Sequence, residues 1–187
     1  LENNRTHSNA LYFRALWMDV DCGPTKGIPD SDGRIKGYLT QEIGLQKLQA
    51  FCKTVGLPRP ILVDSGYGIH AYWLLEETIS RREWEPLSKR LRDLCIEHDL
   101  IVDSSVFEAS RVLRIPGTYN FKDKDTPIPV SVLNETTPRM TYEHIKELLG
   151  APEPEKEIPD FIPRGMSPMM EALLGNQITM PTRLRRR

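Results

Sequence analysis

Two aspartates stand one residue apart in Leu16-Trp17-Met18-Asp19-Val20-Asp21-Cys22-Gly23. Apolar Leu16, Met18 and Val20 alternate with Trp17, Asp19 and Asp21, the period of a strand with one buried face. Side chains two positions apart on a strand share a face, roughly 6–7 Å apart along the backbone, so both carboxylates project to the same side. Like charges that close need a shared proton or a counter-ion. Hard divalent cations with oxygen ligands are the usual solution. A third acid, Asp103, ends the apolar run Leu100-Ile101-Val102. A carboxylate that completes such a pair is what two-metal nucleotidyl transfer requires. His70, Arg111, Arg114 and Lys122 are available to clamp phosphates. Ser65-Gly66-Tyr67-Gly68 precedes His70 as a glycine-bearing turn whose amides can approach a phosphate. The competing reading is a set of solvated acids at strand ends, the first pair just before a Gly23-Pro24 turn.

Several elements must position these groups. Residues 11–21 form the first strand, and residues 22–38, rich in Gly, Pro, Asp and Lys, form a surface loop. A helix is expected over 40–55, with Thr40 as N-cap, Ile43, Leu45, Leu48 and Phe51 as its apolar stripe, and Gly56 as its stop. Ile61-Leu62-Val63 and Ile69 to Leu75 pair as a hairpin across the 64–68 turn. Ser80 and Glu83 form a capping box for a helix over 80–99, with Trp84, Leu87, Leu91, Leu94 and Cys95 buried. Ile128 to Leu133 is expected to be one edge strand because of its prolines. Thr141 caps a closing helix, Tyr142 to Leu149. On one regular strand Arg111 and Arg114, three apart, cannot both face the site, so one of them is expected to be structural unless a bulge intervenes. Trp73 and Tyr72 pack by default, although aromatic side chains can stack bases.

The chain has 187 residues, 39% apolar and 27% charged, with net charge −1. That is enough for one core domain with appendages, and it excludes a polycation that binds nucleic acid by bulk charge. Basic clusters are local: Arg81-Arg82, Lys89-Arg90-Arg92, the Arg111 to Lys124 group, and the terminal arginines. No apolar run is long enough to span a membrane, and the polar start lacks the apolar core of a signal peptide. Three scattered cysteines fit a reducing cytoplasm better than a disulfide framework. Cys95 and His98 have the spacing of half a zinc site, but no second pair accompanies them, so zinc is not expected. Residues 151–163 read as a Pro/Glu-rich linker. Residues 164–187 form a short helical and basic C-terminal segment that includes the apolar stretch Met169 to Leu174.

Trp17-Met18-Asp19-Val20-Asp21, then Ser65-Gly66-Tyr67-Gly68-Ile69-His70, then Val102-Asp103 and Arg111-Val112-Leu113-Arg114-Ile115-Pro116-Gly117-Thr118-Tyr119-Asn120-Phe121-Lys122 together resemble the archaeo-eukaryotic primase superfamily. The nearest branch is the primase-polymerases of phages, plasmids and mobile elements. The resemblance covers residues 11–150 and implies metal binding by Asp19, Asp21 and Asp103. It implies nucleotide binding by His70, with Ser65, Gly66 and Gly68 of its turn, and phosphate contacts among Arg111, Arg114 and Lys122. Relatives carry a larger α/β module before the first motif that helps hold the template. Only eighteen residues precede Asp19 here, so that module is expected to be absent, shortened or outside this chain.

The expected fold is therefore α/β, a mainly antiparallel RRM-like sheet flanked by helices with the acids on its open face, over residues 1–150. The resemblance implies a DNA primase or polymerase that uses two Mg²⁺ or Mn²⁺ ions, dNTPs or NTPs, and a single-stranded or primed DNA template, in the host cytoplasm. The linker suggests further domains, such as a helicase. Two other classes use similar residues: a non-catalytic replication-initiator module that binds single-stranded nucleic acid, and a metal-dependent nuclease.

Overall fold

A computed structural model describes residues 9–134 and 137–154, and the expected segment 164–187 and most of the linker lie outside the described residues. The chain runs β1 (Tyr12–Asp21), α1 (Gln41–Val55), β2 (Ile61–Asp64), β3 (Gly68–Ser80), α2 (Arg81–Glu97), β4 (Tyr119–Asn120), β5 (Ile128–Pro129), β6 (Ser131–Val132) and α3 (Tyr142–Leu149). A 3-10 turn, Ser104–Phe107, lies between α2 and β4. The main sheet has the order β1-β3-β2-β6, and β4 pairs with β5 as a separate hairpin. All the named strand pairs are antiparallel.

Leu16, Met18 and Val20 of β1 and Ile69, Ala71, Trp73 and Leu75 of β3 are buried in one apolar cluster with Leu48 and Phe51 of α1. Alternation along both strands therefore turns Trp17, Asp19, Asp21, His70 and Tyr72 to the other face. Part of that face is closed by aromatic packing. Trp17 and Trp84 lie with ring centroids 4.7 Å apart, and the Trp17 indole donates to the Val106 carbonyl at 2.8 Å. One of the acids does not lie on an open surface as expected: the Asp19 side chain is 14% exposed, beside a fully buried His70. Asp21 and Asp103 are more open, with side chains 29% and 30% exposed.

The caps form as their residue types dictate. Thr40 accepts from the Ile43 amide, Gly56 takes the left-handed conformation, and Ser80 with Glu83 completes the capping box. β3 runs five residues beyond the expected Leu75, because its polar end pairs with Tyr12 and Phe13 beyond an irregularity between Phe13 and Ala15. Two expectations are corrected. Residues 128–133 are not one strand: Ile128–Pro129 pairs with β4, and Ser131–Val132 pairs with β2 at the sheet edge. Pro129 has no amide to continue a ladder, and the Val130 amide bonds to the Thr118 carbonyl instead, at 2.9 Å. Residues 111–115 are not a strand either, so the parity rule that separated Arg111 from Arg114 does not apply. None of the described helices is long and apolar enough to cross a membrane.

Candidate functional site

The register pairs Asp19 of β1 directly with His70 of β3, and Asp21 with Gly68. The Asp19 carbonyl points away from β3, because it accepts the Asp103 amide at 3.1 Å. Asp19 and His70 are thus a non-hydrogen-bonded pair, the kind in which opposite side chains approach most closely. The same backbone bond explains how an acid 84 positions further along the chain reaches the pair: Asp103 docks on the free edge of β1. Gly68 is needed opposite Asp21, since a Cβ there would lie 2.7 Å from the Val20 carbonyl oxygen and 3.4 Å from Asp19 Oδ1.

Asp19 Oδ2 is 4.0 Å from His70 Nε2, too far for a hydrogen bond. Among the described residues, Asp19 Oδ1 and His70 Nε2 are the buried side-chain polar atoms without a hydrogen-bond partner. Each such atom costs about 1–3 kcal/mol, a cost that a polar ligand would offset. Burial, helped by the charges of Asp21 and Asp103, pushes the Asp19 carboxyl up to about 7. Burial, helped by Arg114 and Arg111, brings the His70 imidazole down to about 4. The Tyr72 hydroxyl lies 3.3 Å from His70 Nδ1. A hydrogen bond donated there selects the tautomer with the proton on Nε2, facing Asp19.

Cations hold the two flanking acids. Lys26 Nζ is 2.6 Å from Asp21 Oδ2, and an Arg111 guanidinium nitrogen is 2.8 Å from Asp103 Oδ2. Burial acts to raise the Asp103 carboxyl, but hydrogen bonds from the Ser105 hydroxyl and amide, with Arg111, outweigh it and hold the carboxyl low. Arg111 reaches the site through its ion pair with Asp103, and the charges of Arg111 and Arg114 are both near enough to lower His70 and to oppose the rise of Asp19. Lys26 was not a candidate from the sequence, where 22–38 read as a surface loop. Gly23, at φ 136°, turns the chain back after β1, and the Lys26 amide bonds to the Gly23 carbonyl at 3.0 Å. A lysine five residues after Asp21, behind a Gly-Pro turn, is the signal that could have found it.

In the turn before His70, the first two amides are already bonded within the turn. The Ser65 amide donates to the Gly68 carbonyl, and the Gly66 amide donates to Asp64 Oδ1 at 2.7 Å. Ser65 is buried, and its carbonyl accepts from the Asn120 side chain at 2.6 Å. Gly66, at φ 91°, packs against Ile128 and Asn120 of the β4–β5 hairpin. The Lys122 amide donates to Asn120 Oδ1, and its ammonium lies 4.9 Å from the centre of the Tyr67 ring. Ser65, Gly66 and Lys122 thus join the site through the hairpin, beside the carboxylates rather than among them. Trp73 is core, as expected by default, with its indole bonded to the Pro58 carbonyl.

Among the described residues, no three His, Cys, Asp or Glu side chains form a ready-made metal cluster. Lys26 and Arg111 occupy one carboxylate each. The donor set still fits a hard divalent cation, with three carboxylates and one buried, unpartnered oxygen at Asp19. A cavity of about 420 Å³ between α1 and β2, lined by Leu45, Leu48, Leu57 and Leu62 among others, touches none of these residues.

No family model matches the sequence, and no curated protein matches it significantly. Among solved structures, the AEP domain of the cyanophage S-2L primase-polymerase is similar, with a TM-score of 0.55 and 20% identity over 78% of this chain. The match spans 65% of that chain's length. At that identity the likeness is one of architecture: this chain shares the fold of that AEP domain.

Proposed function

We propose that this domain is a template-directed nucleotidyltransferase of the primase-polymerase type, joining nucleotides on a single-stranded or primed DNA template. The observation that carries the reading is the Asp19–His70 pair, with Asp21 and Asp103 beside it, on a fold shared with a primase-polymerase domain.

In this reading Asp19, Asp21 and Asp103 hold Mg²⁺ or Mn²⁺, which when bound supplies charge at the phosphoryl oxygens and makes a 3′-hydroxyl easier to deprotonate. Asp19 would act as a ligand in its ionised form, which a bound cation would favour against the burial that raises its carboxyl to about 7 in the free domain. At neutral pH His70 is uncharged and donates from Nε2 to a phosphate oxygen of the incoming nucleotide. Arg111 and Arg114 add positive charge that stabilises the same phosphates. Lys26 and Arg111 neutralise Asp21 and Asp103 in the free domain, and would be available to pair with phosphate if those acids held cations.

The test is extension of a labelled primer on single-stranded DNA with Mn²⁺ or Mg²⁺ and either dNTPs or NTPs. Extension that vanishes in Asp19→Ala/Asp21→Ala establishes the reading and shows the sugar preference. DNA binding without incorporation, unchanged in that variant, shows a replication-initiator module instead. Shortening of the strand with no added nucleotide shows a nuclease.

A further inference from the structure

We infer that the β4–β5 hairpin is a stacking platform for the bases of a single-stranded nucleic acid, with Tyr119 and Phe121 as the stacking side chains. This rests on the proposed nucleotidyltransferase reading, and it names where the template is gripped. Asn120 is buried and tied to the Ser65 carbonyl, so strand alternation turns Tyr119 and Phe121 outward together. They are 57% and 62% exposed, with ring centroids 6.2 Å apart. Val112 and Ile115, on the segment that leads into the hairpin, are 63% and 68% exposed. Large apolar side chains concentrated this way on one short stretch are unusual for a surface with no partner.

Charge selects the occupant. Residues 111–126 contain Arg111, Arg114, Lys122 and Lys124 against Asp123 and Asp125, a balance of +2 in a chain of net −1. Both acids are in the hairpin turn, where Asp123 accepts from the Asp125 amide and the Thr126 hydroxyl. Exposed aromatics interleaved with cations suit bases and phosphates, and stacking is tolerant of sequence, as a template grip requires. The segment begins at Arg111, which is bonded to Asp103, and the hairpin is fastened through Asn120 to the turn before His70, so the patch belongs to the part of the chain tied to the site at both places.

The test uses the full chain in EDTA without nucleotides and measures anisotropy of a labelled oligothymidylate and of an abasic strand of equal length. The wild type should bind the thymidylate more tightly than the abasic strand. Tyr119→Ala/Phe121→Ala should lose at least about tenfold on the thymidylate and change little on the abasic strand, and Tyr119→Trp/Phe121→Trp should restore the preference. An alanine variant that melts like the wild type and binds thymidylate equally well overturns the inference. So does a wild type that does not distinguish the strands, and the patch then covers protein. If the aromatics matter for binding but wild-type primer extension fails, the catalytic reading is lost and the platform stands. Extension with binding indifferent to the aromatics gives the reverse.

Discussion

Asp19 and His70 face each other across β1 and β3, with Asp19 Oδ2 4.0 Å from His70 Nε2 and one buried polar atom of each side chain unpartnered. Desolvation moves the two groups in opposite directions, the carboxyl up to about 7 and the imidazole down to about 4. Between those values the pair is neutral, with the proton on the acid. A site that stays neutral until it is occupied avoids an uncompensated buried charge.

The pH dependence of stability follows from those two shifts. As pH rises from 3.8 to about 7, an unfolded Asp19 ionises while the folded one keeps its proton, so stability falls and the full cost is present above 7. His70 acts at the other end: as pH falls from 6.5 to about 4, the unfolded imidazole takes up a proton that the folded one refuses, and stability is lost. Asp19→Asn should therefore raise the melting temperature at pH 8 in EDTA, by up to roughly 4 kcal/mol of stability, with the gain gone by pH 4. Thermal melts across that range check it, and a variant no more stable than wild type at pH 8 contradicts it.

Lys26 competes with any cation for Asp21. Its ammonium is 2.6 Å from Oδ2 and both side chains are less than a third exposed, so the ion pair is partly screened and worth on the order of 1 kcal/mol. Lys26→Ala should tighten Mn²⁺ binding about three- to fivefold, measured by loss of the free-ion electron paramagnetic resonance signal. The same variant should weaken nucleoside triphosphate binding. Tighter metal with unchanged nucleotide affinity would leave Lys26 as a counter-ion and nothing more.

Gly68 lets β3 lie against β1 beside the carboxylates. Gly68→Ala introduces a Cβ against the Val20 carbonyl, backbone that has little room to give. We expect a loss of about 1–3 kcal/mol in urea denaturation, with the slope unchanged. A midpoint equal to that of the wild type would mean that the strands separate there at no cost.

Asn120 fastens the hairpin to the turn before His70. Asn120→Ala removes the donor to the Ser65 carbonyl and the acceptor of the Lys122 amide. The expected loss is about 1–3 kcal/mol. Trypsin should also cut faster after Lys122 and Lys124, read from the fragments of a timed digest. Unchanged cutting would show that strand pairing alone holds the hairpin.

Local chemistry was legible wherever short-range rules operate. The alternation in Leu16 to Asp21, the caps at Thr40, Ser80 and Thr141, and the left-handed stop at Gly56 all depend on neighbours a few residues away. So did the antiparallel hairpin before His70, because a glycine-bearing turn between two apolar runs leaves few other pairings. Proline misled at Ile128 to Leu133: it marks an edge, but it does not say that the chain passes from one sheet to another within four residues. Parity misled at Arg111 and Arg114, since it binds only residues on a regular strand.

The sequence by itself determined which residues could carry charge chemistry and which face of β1 they share, because side-chain type and period two are properties of a few adjacent residues. Only the tertiary structure decided their surroundings. The bond from the Asp103 amide to the Asp19 carbonyl, the ion pair of Arg111 with that same Asp103, and the burial of Asp19 and His70 all depend on bringing residues around 103–111 and 70 onto β1. Desolvation depends on every atom packed around a group, and no local pattern in the chain records that packing.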